Sequence, residues 1–452
     1  MKISIVGTGY VGLVSGTCLA ACGHHVTCVD IKPEVVDQIN SGSTPIYEID
    51  LDPLLAKVVK SGNLTATTDL QLSVLESEVT LICVGTPTVG SEADLSQILN
   101  AAKAIGTALS KKSSYHVVVV KSTVLPGTSE GKLRVALEEA SGIKLGNGWG
   151  LCMNPEFLRE GRAVEDFNCP DRIVIGASDE RAAHVLLDMY EHFDCPKIVT
   201  TPKTAEMIKY VANSLFAAMI SFSNEIANLC STFPGIDARE VWKGVHSDRR
   251  LTPVKADRDN PPGVVEYLWH GLGFGGSCFP KDVAALRGFG EKAGVPTAML
   301  DAILAINALQ PMRMVSLLER EMNLPGKTVA VLGLAFKPGT DDLRYSPALV
   351  VVEALRERGA RVVVHDPIAM PGAQRNPVFE EVLFAQDWET ALRSADACCI
   401  ITSWPDYRVI QPSDFMNLMK QPLVIDGRGL FDPYQFSRCG VKWRGIGYTP
   451  EA

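Results

Sequence analysis

Short runs of apolar, β-branched residues alternate with helical stretches along the first part of the chain. The first run, Ile3–Val6, ends at a glycine, and similar runs follow at 25–30, 79–84 and 116–120. Continuous apolar runs of this kind are typical of strands buried on both faces, as in a parallel sheet covered by helices on each side. The alternation of strand and helix therefore predicts an α/β fold with a doubly wound sheet.

A second alternation of the same type begins at Lys327. Its strand-like runs share the apolar, β-branched character of the first set and lie at 328–333, 361–366, 397–401 and 423–426. Between the two alternating regions, apolar residues recur at three- and four-residue spacing, as in Met207, Val211, Leu215, Ala218 and Phe222. This period predicts one long helix from Thr204 to about Cys230.

These patterns predict two Rossmann-like doubly wound domains joined by a long central helix and a helical middle domain. We expect an N-terminal domain at 1–202, a central helical domain at 203–311 and a C-terminal domain at 312–452. The ordinary share of 46% hydrophobic and 21% charged residues in 452 residues is consistent with large buried cores.

Charge and cysteine usage narrow the possible partners. The formal net charge is −9, which disfavours a nucleic-acid-binding protein. No secretory signal pattern follows Met1, and the longest uncharged stretch, between Lys209 and Glu225, is too short to span a bilayer. The 12 cysteines form no Cys-x-x-Cys pair and no zinc pattern with histidine. We therefore expect a reduced, cytoplasmic protein with no membrane partner and no metal.

A Gly-x-Gly-x-x-Gly motif follows the first predicted strand directly and opens a helix. Gly7 permits the tight turn, Gly9 lets a pyrophosphate approach the backbone, and Gly12 lets helix and strand pack closely. Asp30, at the end of the second strand, can accept hydrogen bonds from the adenosine ribose and would repel a 2′-phosphate. The motif predicts an NAD site, the alternative being a glycine turn without a ligand. In the second α/β region, Gly333–Lys337 lacks the fingerprint and suits a phosphate or sugar contact instead.

The segment Gly273–Asp282 combines three glycines with a cysteine and a proline. Because Pro280 suits the first turn of a helix, Cys278 is expected at a helix N-terminus, where the partial positive charge and Lys281 favour a thiolate. One helical turn should bring Asp282 beside the sulfur. With NAD, such a thiolate suits aldehyde chemistry, in which a thiohemiacetal is oxidised to a thioester that water cleaves. The alternative is a buried structural cysteine.

Together these motifs resemble the UDP-glucose/GDP-mannose dehydrogenase family over essentially the whole chain. Further motifs that carry the resemblance, in chain order, are Gly85–Pro87, Ser122–Val124, Asn154–Gly161, Glu206–Tyr210, Phe336–Arg344 and Asp426–Arg428. The resemblance implies oxidation of the C6 alcohol of a nucleotide hexose to a carboxylate, with two NAD consumed. Pro170–Gly176 and Phe279 resemble the UDP-glucose branch of the family more than the GDP-mannose branch, and this resemblance implies UDP-glucose as the sugar nucleotide. GDP-mannose or another nucleotide hexose is the first alternative, and a non-catalytic sensor of NAD or sugar nucleotide is the second.

The resemblance also implies roles for individual residues. Cys278 is the nucleophile, and Lys209 with Asn213 stabilises the negative charge on the C6 oxygen. Asp282 with Lys209 positions a water as the base of the first oxidation, with Thr123 near that water. Glu156 or Asp282 activates water for thioester hydrolysis, and for this work we expect the pKa of Glu156 to be raised. Without the resemblance, Glu156 and Glu160 would be interpreted as a solvated helix face.

The expected ligand contacts fall into two sets. The cofactor set shares proximity to NAD and comprises Gly7, Gly9, Tyr10, Val11, Gly12, Asp30, Thr86, Pro87, Ser122, Thr123, Glu160, Lys281 and Arg344. The substrate set shares proximity to the UDP-sugar and comprises Glu156, Phe157, Leu158, Lys209, Asn213, Arg250, Phe274, Gly275, Phe336, Lys337 and Arg428. Arg250 is expected to reach the sugar site of the other subunit in a homodimer formed through the central domain.

The chain departs from the family pattern in the stretch between Arg250 and Leu272. This stretch is longer than usual, and 255–262 resembles an inserted loop. Leu272 also replaces a residue that is usually glycine or proline. Both departures lie in sequence next to the segment that contains Cys278.

Overall fold

The computed structural model describes residues 1–89, 92–252 and 263–449, and the chain divides into two compact units, Met1–Ala212 and Asn213–Ala452. The predicted inserted loop at 255–262 lies outside the described residues. The strands of the described residues are β1 (Lys2–Val6), β2 (His25–Val29), β3 (Leu64–Thr67), β4 (Val79–Ile82), β5 (Thr88–Val89), β6 (Glu92–Ala93), β7 (His116–Val120), β8 (Trp149–Met153), β9 (Ile173–Ala177), β10 (Lys197–Thr200), β11 (Thr328–Leu332), β12 (Arg361–His365), β13 (Leu383–Phe384), β14 (Ala397–Ile400), β15 (Leu423–Asp426) and β16 (Lys442–Gly445).

Helices alternate with the strands along the chain and form most of its described residues between β10 and β11. The α-helices of the described residues are α1 (Tyr10–Ala21), α2 (Pro33–Asn40), α3 (Leu51–Lys60), α4 (Leu70–Glu76), α5 (Ser96–Leu109), α6 (Arg134–Ser141), α7 (Ala163–Asn168), α8 (Glu180–Met189), α9 (Pro202–Cys230), α10 (Ala238–His246), α11 (Val264–Tyr267), α12 (Phe279–Lys292), α13 (Ala298–Glu321), α14 (Pro347–Glu357), α15 (Met370–Ala373), α16 (Trp388–Leu392), α17 (Pro412–Leu418) and α18 (Pro433–Arg438). Over the same residues, no helix is both long enough and apolar enough to cross a membrane.

The first unit is organised around a sheet with strand order β10-β9-β8-β7-β4-β1-β2-β3, in which β8 and β9 pair antiparallel and the other neighbours are parallel. β4 and β7 are buried along their whole length, which explains why apolar residues dominate their sequences. Because β1 lies between β4 and β2, the chain reverses its winding direction beside β1. Doubly wound folds bind ligands at the carboxyl ends of the strands at such a point, which is where Gly7 lies.

The second unit contains a parallel sheet with strand order β13-β12-β11-β14-β15-β16. The segments after β11 and β15 therefore lie at the same edge of this sheet, and they carry Phe336, Lys337 and Arg428. The two sheets confirm the predicted fold class of two Rossmann-like domains.

The long central helix is also confirmed, because α9 runs without interruption from Pro202 to Cys230. The predicted boundary at residue 311 falls inside α13, which continues through the buried Pro311 to Glu321. The limits of the three domains remain a prediction.

Candidate active site

The glycine motif after β1 forms an open turn at the start of α1. Gly7 has φ +93°, a conformation that favours glycine. A Cβ on Gly12 would lie 1.9 Å from the carbonyl oxygen of Gly7, so α1 packs directly on the turn. A Cβ on Gly9 would meet nothing within 4 Å, and Gly9 caps α1 without a side-chain hydrogen bond. The N-terminus of α1 therefore offers the uncovered backbone that a pyrophosphate requires.

Asp30 follows β2 and is held by backbone and side-chain donors. Its Oδ2 accepts hydrogen bonds from the backbone N–H and the hydroxyl of Thr8, at 3.2 and 2.5 Å, and its Oδ1 accepts one from Lys32 N–H at 3.1 Å. A carboxylate has about four acceptor positions, so one is left for a ribose hydroxyl. The glycine turn and Asp30 therefore fit NAD.

Two alanine substitutions should separate folding from cofactor binding in this turn. Gly12→Ala is expected to lower the melting temperature, because the new methyl group would overlap the backbone of Gly7. Gly9→Ala should leave the melting temperature unchanged yet weaken NAD binding about tenfold or more, which is about 1.4 kcal/mol. Thermal unfolding without ligand and calorimetric titration with NAD measure the two effects. Unchanged NAD affinity in Gly9→Ala would count against a pyrophosphate at this turn.

Tyr10, predicted to contact NAD, is tied to the segment that carries Glu160. The Tyr10 hydroxyl donates to the buried Glu48 carboxylate, which also accepts hydrogen bonds from the N–H groups of Gly161 and Ala163 at 2.7 and 2.8 Å. Burial raises the pKa of Tyr10, and the negative charge of Glu48 raises it further. Glu160 is half-buried beside Gly161, and Val11 is half-buried in the first turn of α1. Glu48 was not predicted from sequence, because an isolated glutamate between loop residues carries no signal of its own.

The segments after β4 and β7 are joined by hydroxyl hydrogen bonds. Ser122 Oγ donates to the carbonyl of Val84 at 2.7 Å, and Thr86 Oγ1 donates to the carbonyl of Thr123 at 2.8 Å. Pro87, next to Thr86, is exposed. Four of the predicted residues thus lie at the carboxyl edge of the first sheet, where the glycine turn also lies.

Glu156 and Lys209 form a buried ion pair. Lys209 Nζ lies 2.8 Å from Glu156 Oε1, and their side chains are only 4% and 7% exposed. The second oxygen of Glu156 accepts from Leu158 N–H at 2.7 Å. Residues 154–159 are not helical, so the helix-face interpretation of Glu156 and Glu160 is wrong. A buried lysine needs a compensating partner, and Glu156 is one for Lys209.

The expected rise in the pKa of Glu156 is also wrong. Burial does raise it, but the charge and hydrogen bond of Lys209, the Leu158 N–H and the charge of Lys121 outweigh burial, so the pKa is lowered. Glu156 is therefore ionised near neutral pH and can accept a proton. It lines a cleft of the first unit together with Lys121, Phe157, Leu158 and Arg172. The guanidinium of Arg172 lies 4.0 Å from the centre of the Phe157 ring.

Cys278 occupies the position predicted for it, as the N-cap of α12 with Pro280 in the first turn. Its side chain is half-buried, and Ser277 Oγ lies 3.6 Å from its sulfur. The preceding backbone is closely packed, since a Cβ on Gly275 would lie 2.4 Å from the carbonyl oxygen of Tyr345. A Cβ on Gly276 would lie 2.7 Å from the ring of Phe336, which explains both glycines.

Asp282 lies one turn into α12 and is 1% exposed. It accepts hydrogen bonds from Asn213 Nδ2 at 2.6 Å and from Lys281 Nζ at 2.5 Å. Asn213 is on α9, so two helices contribute to this cluster. The structure therefore brings together three predicted residues, Asn213, Lys281 and Asp282. Lys281, predicted to contact NAD, has its charge compensated by Asp282.

Arg428 lies half-buried after β15. Its Nε donates to the Ile401 carbonyl at 2.7 Å, and one terminal nitrogen donates to the Gly273 carbonyl at 3.2 Å. Burial lowers the pKa of Arg428 to about 10, against the opposing effect of Asp426. Leu272, the residue that departs from the family pattern, is buried. It packs against Gly427, since a Cβ on that glycine would lie only 2.5 Å from the Leu272 side chain.

Of the remaining predicted contacts, Phe274 is buried and the others are more exposed. Lys337 lies with its Nζ 5.7 Å from the centre of the Phe336 ring. Arg344 pairs with Asp342 at 2.8 Å and is exposed. Arg250 pairs with Asp248 at 2.6 Å, and its side chain is 89% exposed. Neither arginine is buried, and their roles toward a ligand or a partner chain stay predictions.

The fold and the site together define an NAD-dependent dehydrogenase with a second nucleotide-binding-like domain. The features that define it are the two sheets, the glycine turn with Asp30, and Cys278 at the N-cap of α12. The chain belongs to the UDP-glucose/GDP-mannose dehydrogenase family. The family's NAD binding domain matches residues 1–194, its central domain 203–309 and its UDP binding domain 330–433.

Individual relatives agree with this assignment. UDP-glucose 6-dehydrogenase TuaD of Bacillus subtilis is 40% identical, over 99% of this chain and 93% of that protein. A UDP-glucose dehydrogenase from Pyrobaculum islandicum has a structure with a TM-score of 0.89 and 40% identity, covering 99% of this chain and 98% of its own. A GDP-mannose dehydrogenase from Pseudomonas aeruginosa has a TM-score of 0.55 and 34% identity, covering 99% and 100%.

Proposed function

We propose that this enzyme oxidises UDP-glucose to UDP-glucuronate in two successive two-electron steps, through a covalent adduct on Cys278. The observation that carries the proposal is the position of Cys278 at the N-terminus of a 14-residue helix, four residues before the buried Asp282 cluster. When bound, NAD supplies the hydride acceptor for both oxidations. The balance is R-CH2OH + 2 NAD⁺ + H2O → R-COO⁻ + 2 NADH + 3 H⁺.

In the first oxidation, the C6 hydroxyl loses its proton and the carbon loses a hydride. Asp282, with Lys209, positions the water that takes the proton, and Thr123 lies near that water. Lys209 and Asn213 donate to the C6 oxygen as negative charge develops, which is worth about 3–4 kcal/mol per donor. The hydrogen bond of 2.6 Å from Asn213 Nδ2 to Asp282 supports this role, because it restricts the orientation of the amide that donates.

In the second oxidation, the Cys278 thiolate forms a C–S bond with the aldehyde carbon, and the adduct then loses a hydride to become a thioester. Water attacks the thioester carbon while Glu156 takes a proton from it, and the C–S bond breaks to release the carboxylate. The lowered pKa of Glu156 supports this role, because a base must be ionised before it can accept the proton.

The UDP-sugar is the substrate class we favour. The match to the family's UDP binding domain and the 40% identity to enzymes that act on UDP-glucose both support it. The GDP-mannose dehydrogenase is less similar, with a TM-score of 0.55 against 0.89, so GDP-mannose is the second candidate. A non-catalytic sensor is disfavoured, because binding alone would not require two buried clusters of charged residues.

We also propose a homodimer formed through the central region. On α9, Leu215, Phe222 and Leu229 are spaced seven residues apart and are 51–57% exposed. Residues at this spacing lie on one face of a helix, and an exposed apolar row of this kind is typical of a protein interface. In this proposal Arg250 reaches the partner's sugar site.

A cytoplasmic location is supported by the 12 cysteines, which are all present as thiols.

The proposal is tested by counting NADH from absorbance, with purified protein, excess NAD and limiting UDP-glucose. We expect two NADH per UDP-glucose. Two NADH from GDP-mannose but none from UDP-glucose would retain the mechanism and change the substrate. If no sugar nucleotide produces NADH although the protein binds NAD, the enzymatic proposal is contradicted and a sensor is favoured.

A further inference from the structure

Side chains from several elements hold the glycine-rich loop Gly271–Gly276 that precedes Cys278. At its start, Asn224 on α9 accepts a hydrogen bond from Gly271 N–H at 2.7 Å. Gln310 on α13 donates to the carbonyl of the same glycine at 2.8 Å. Both polar groups of Gly271 are thus satisfied by side-chain amides, and Asn224 and Gln310 are each at most 1% exposed.

The middle of the loop is held by Asn307, also on α13. Asn307 Oδ1 accepts from Phe274 N–H at 2.7 Å, and its Nδ2 donates to the Phe274 carbonyl at 3.0 Å. A Cβ on Gly273 would lie only 2.4 Å from Asn307 Oδ1, so the amide fills the space that any other residue at 273 would need. Gly273 also has φ +85°, which favours glycine independently.

Asn307 and Gln310 are three residues apart on α13 and so share one face of the helix. The loop they hold contains several glycines, which would otherwise sample many backbone conformations. The ring of Phe274 anchors the same point by packing in a cluster with Ala217, Val283 and Ile303. A two-bond contact from one planar amide fixes both the position and the orientation of the Phe274 peptide groups.

We propose that Asn307 is a positioning residue for the nucleophile, holding the loop so that Cys278 captures the aldehyde before it escapes. The inference rests on the proposed function, because it concerns the step between the two oxidations. The first oxidation does not use the thiol, whereas formation of the C–S bond requires the sulfur to lie within about 3–3.5 Å of the aldehyde carbon. Loosening the loop should therefore slow capture more than it slows the first oxidation.

The test uses Asn307→Asp, which keeps the shape and the bond to Phe274 N–H but places an acceptor against the Phe274 carbonyl. The matched control is Asn376→Asp in the same unit, where the side chain only needs to accept from Val378 N–H. NADH per UDP-glucose is counted with semicarbazide present to trap free aldehyde. We expect two for the wild type and for Asn376→Asp, and a value falling towards one for Asn307→Asp, with trapped aldehyde making up the difference.

A ratio of two in Asn307→Asp, with no trapped aldehyde, would overturn the inference even if the overall rate falls, since a purely structural role would slow both oxidations alike. A wild-type ratio below two would count against the proposed function instead, so the two failures are distinguishable. Asn307→Ala, which removes both bonds without adding charge, provides the same readout should Asn307→Asp not fold. Faster hydrogen exchange of peptide 271–278 in the folded variant is expected as well, and unchanged exchange would contradict a role in holding the loop.

Discussion

Replacing Cys278 by serine is expected to stop turnover before the acid is released, lowering kcat by a factor on the order of 10³ or more. A serine hydroxyl has nearly the same size as the thiol, but a helix N-terminus cannot ionise it near neutral pH. Without a thiolate, the aldehyde cannot pass through a thioester. NADH counted against UDP-glucose should therefore not exceed one per sugar nucleotide, and no acid should be released.

Two other cysteines provide matched controls for this substitution. Cys169 and Cys439 are both exposed and lie outside every predicted contact set. Serine at either position should leave kcat and the NADH count of two unchanged. Sustained production of two NADH per sugar by Cys278→Ser would contradict covalent catalysis, and a loss of activity in the controls would point to general sensitivity to cysteine replacement.

Several of the strands that are buried on both faces were predicted from their apolar, β-branched sequences. β4 and β7 are buried along their whole length and are rich in apolar, β-branched residues, so their sequences stand out without knowledge of their neighbours. β10 is an edge strand with polar ends and partly exposed residues, and it was not predicted. The middle region was predicted to end at residue 311, where the composition rich in Ala, Leu and Ile ends, yet α13 continues through Pro311 to Glu321.

Some residues of the site could be predicted from the sequence next to them, and others depend on contacts with residues far away in the chain. The glycine turn and the N-cap position of Cys278 depend on neighbouring residues, so the sequence alone indicates them. Glu48 accepts hydrogen bonds from residues 113 and 115 positions away, and Asn307 holds a residue 33 positions away. Such partners have no local pattern. The pKa of Glu156 was predicted in the wrong direction for the same reason, since burial was inferred but its long-range pairing with Lys209 was not.

Replacing Lys209 by methionine is expected to lower the free energy of unfolding by about 3–5 kcal/mol, because it leaves the buried Glu156 carboxylate without its main partner. The pair is 2.8 Å apart, and both side chains are almost fully buried. Removing both charges in Lys209→Met/Glu156→Gln should recover most of this loss, since no uncompensated charge remains. Denaturant unfolding of the four proteins in this cycle measures the coupling between the two residues.

The same helix provides the control, because Lys203 pairs with Glu130 at 3.5 Å with its side chain 64% exposed. Lys203→Met should lower the free energy of unfolding by at most about 1 kcal/mol, as is usual for an exposed pair.

The two pairs should also differ in how their contribution to stability depends on pH. Because the folded-state pKa of Glu156 is lowered, its contribution to stability is complete above the ordinary pKa of a glutamate and is lost as the pH falls through the lowered value. Stability of the wild type should therefore fall with acidification more steeply than that of Lys209→Met, and parallel pH profiles would contradict a stabilising charge pair at Glu156.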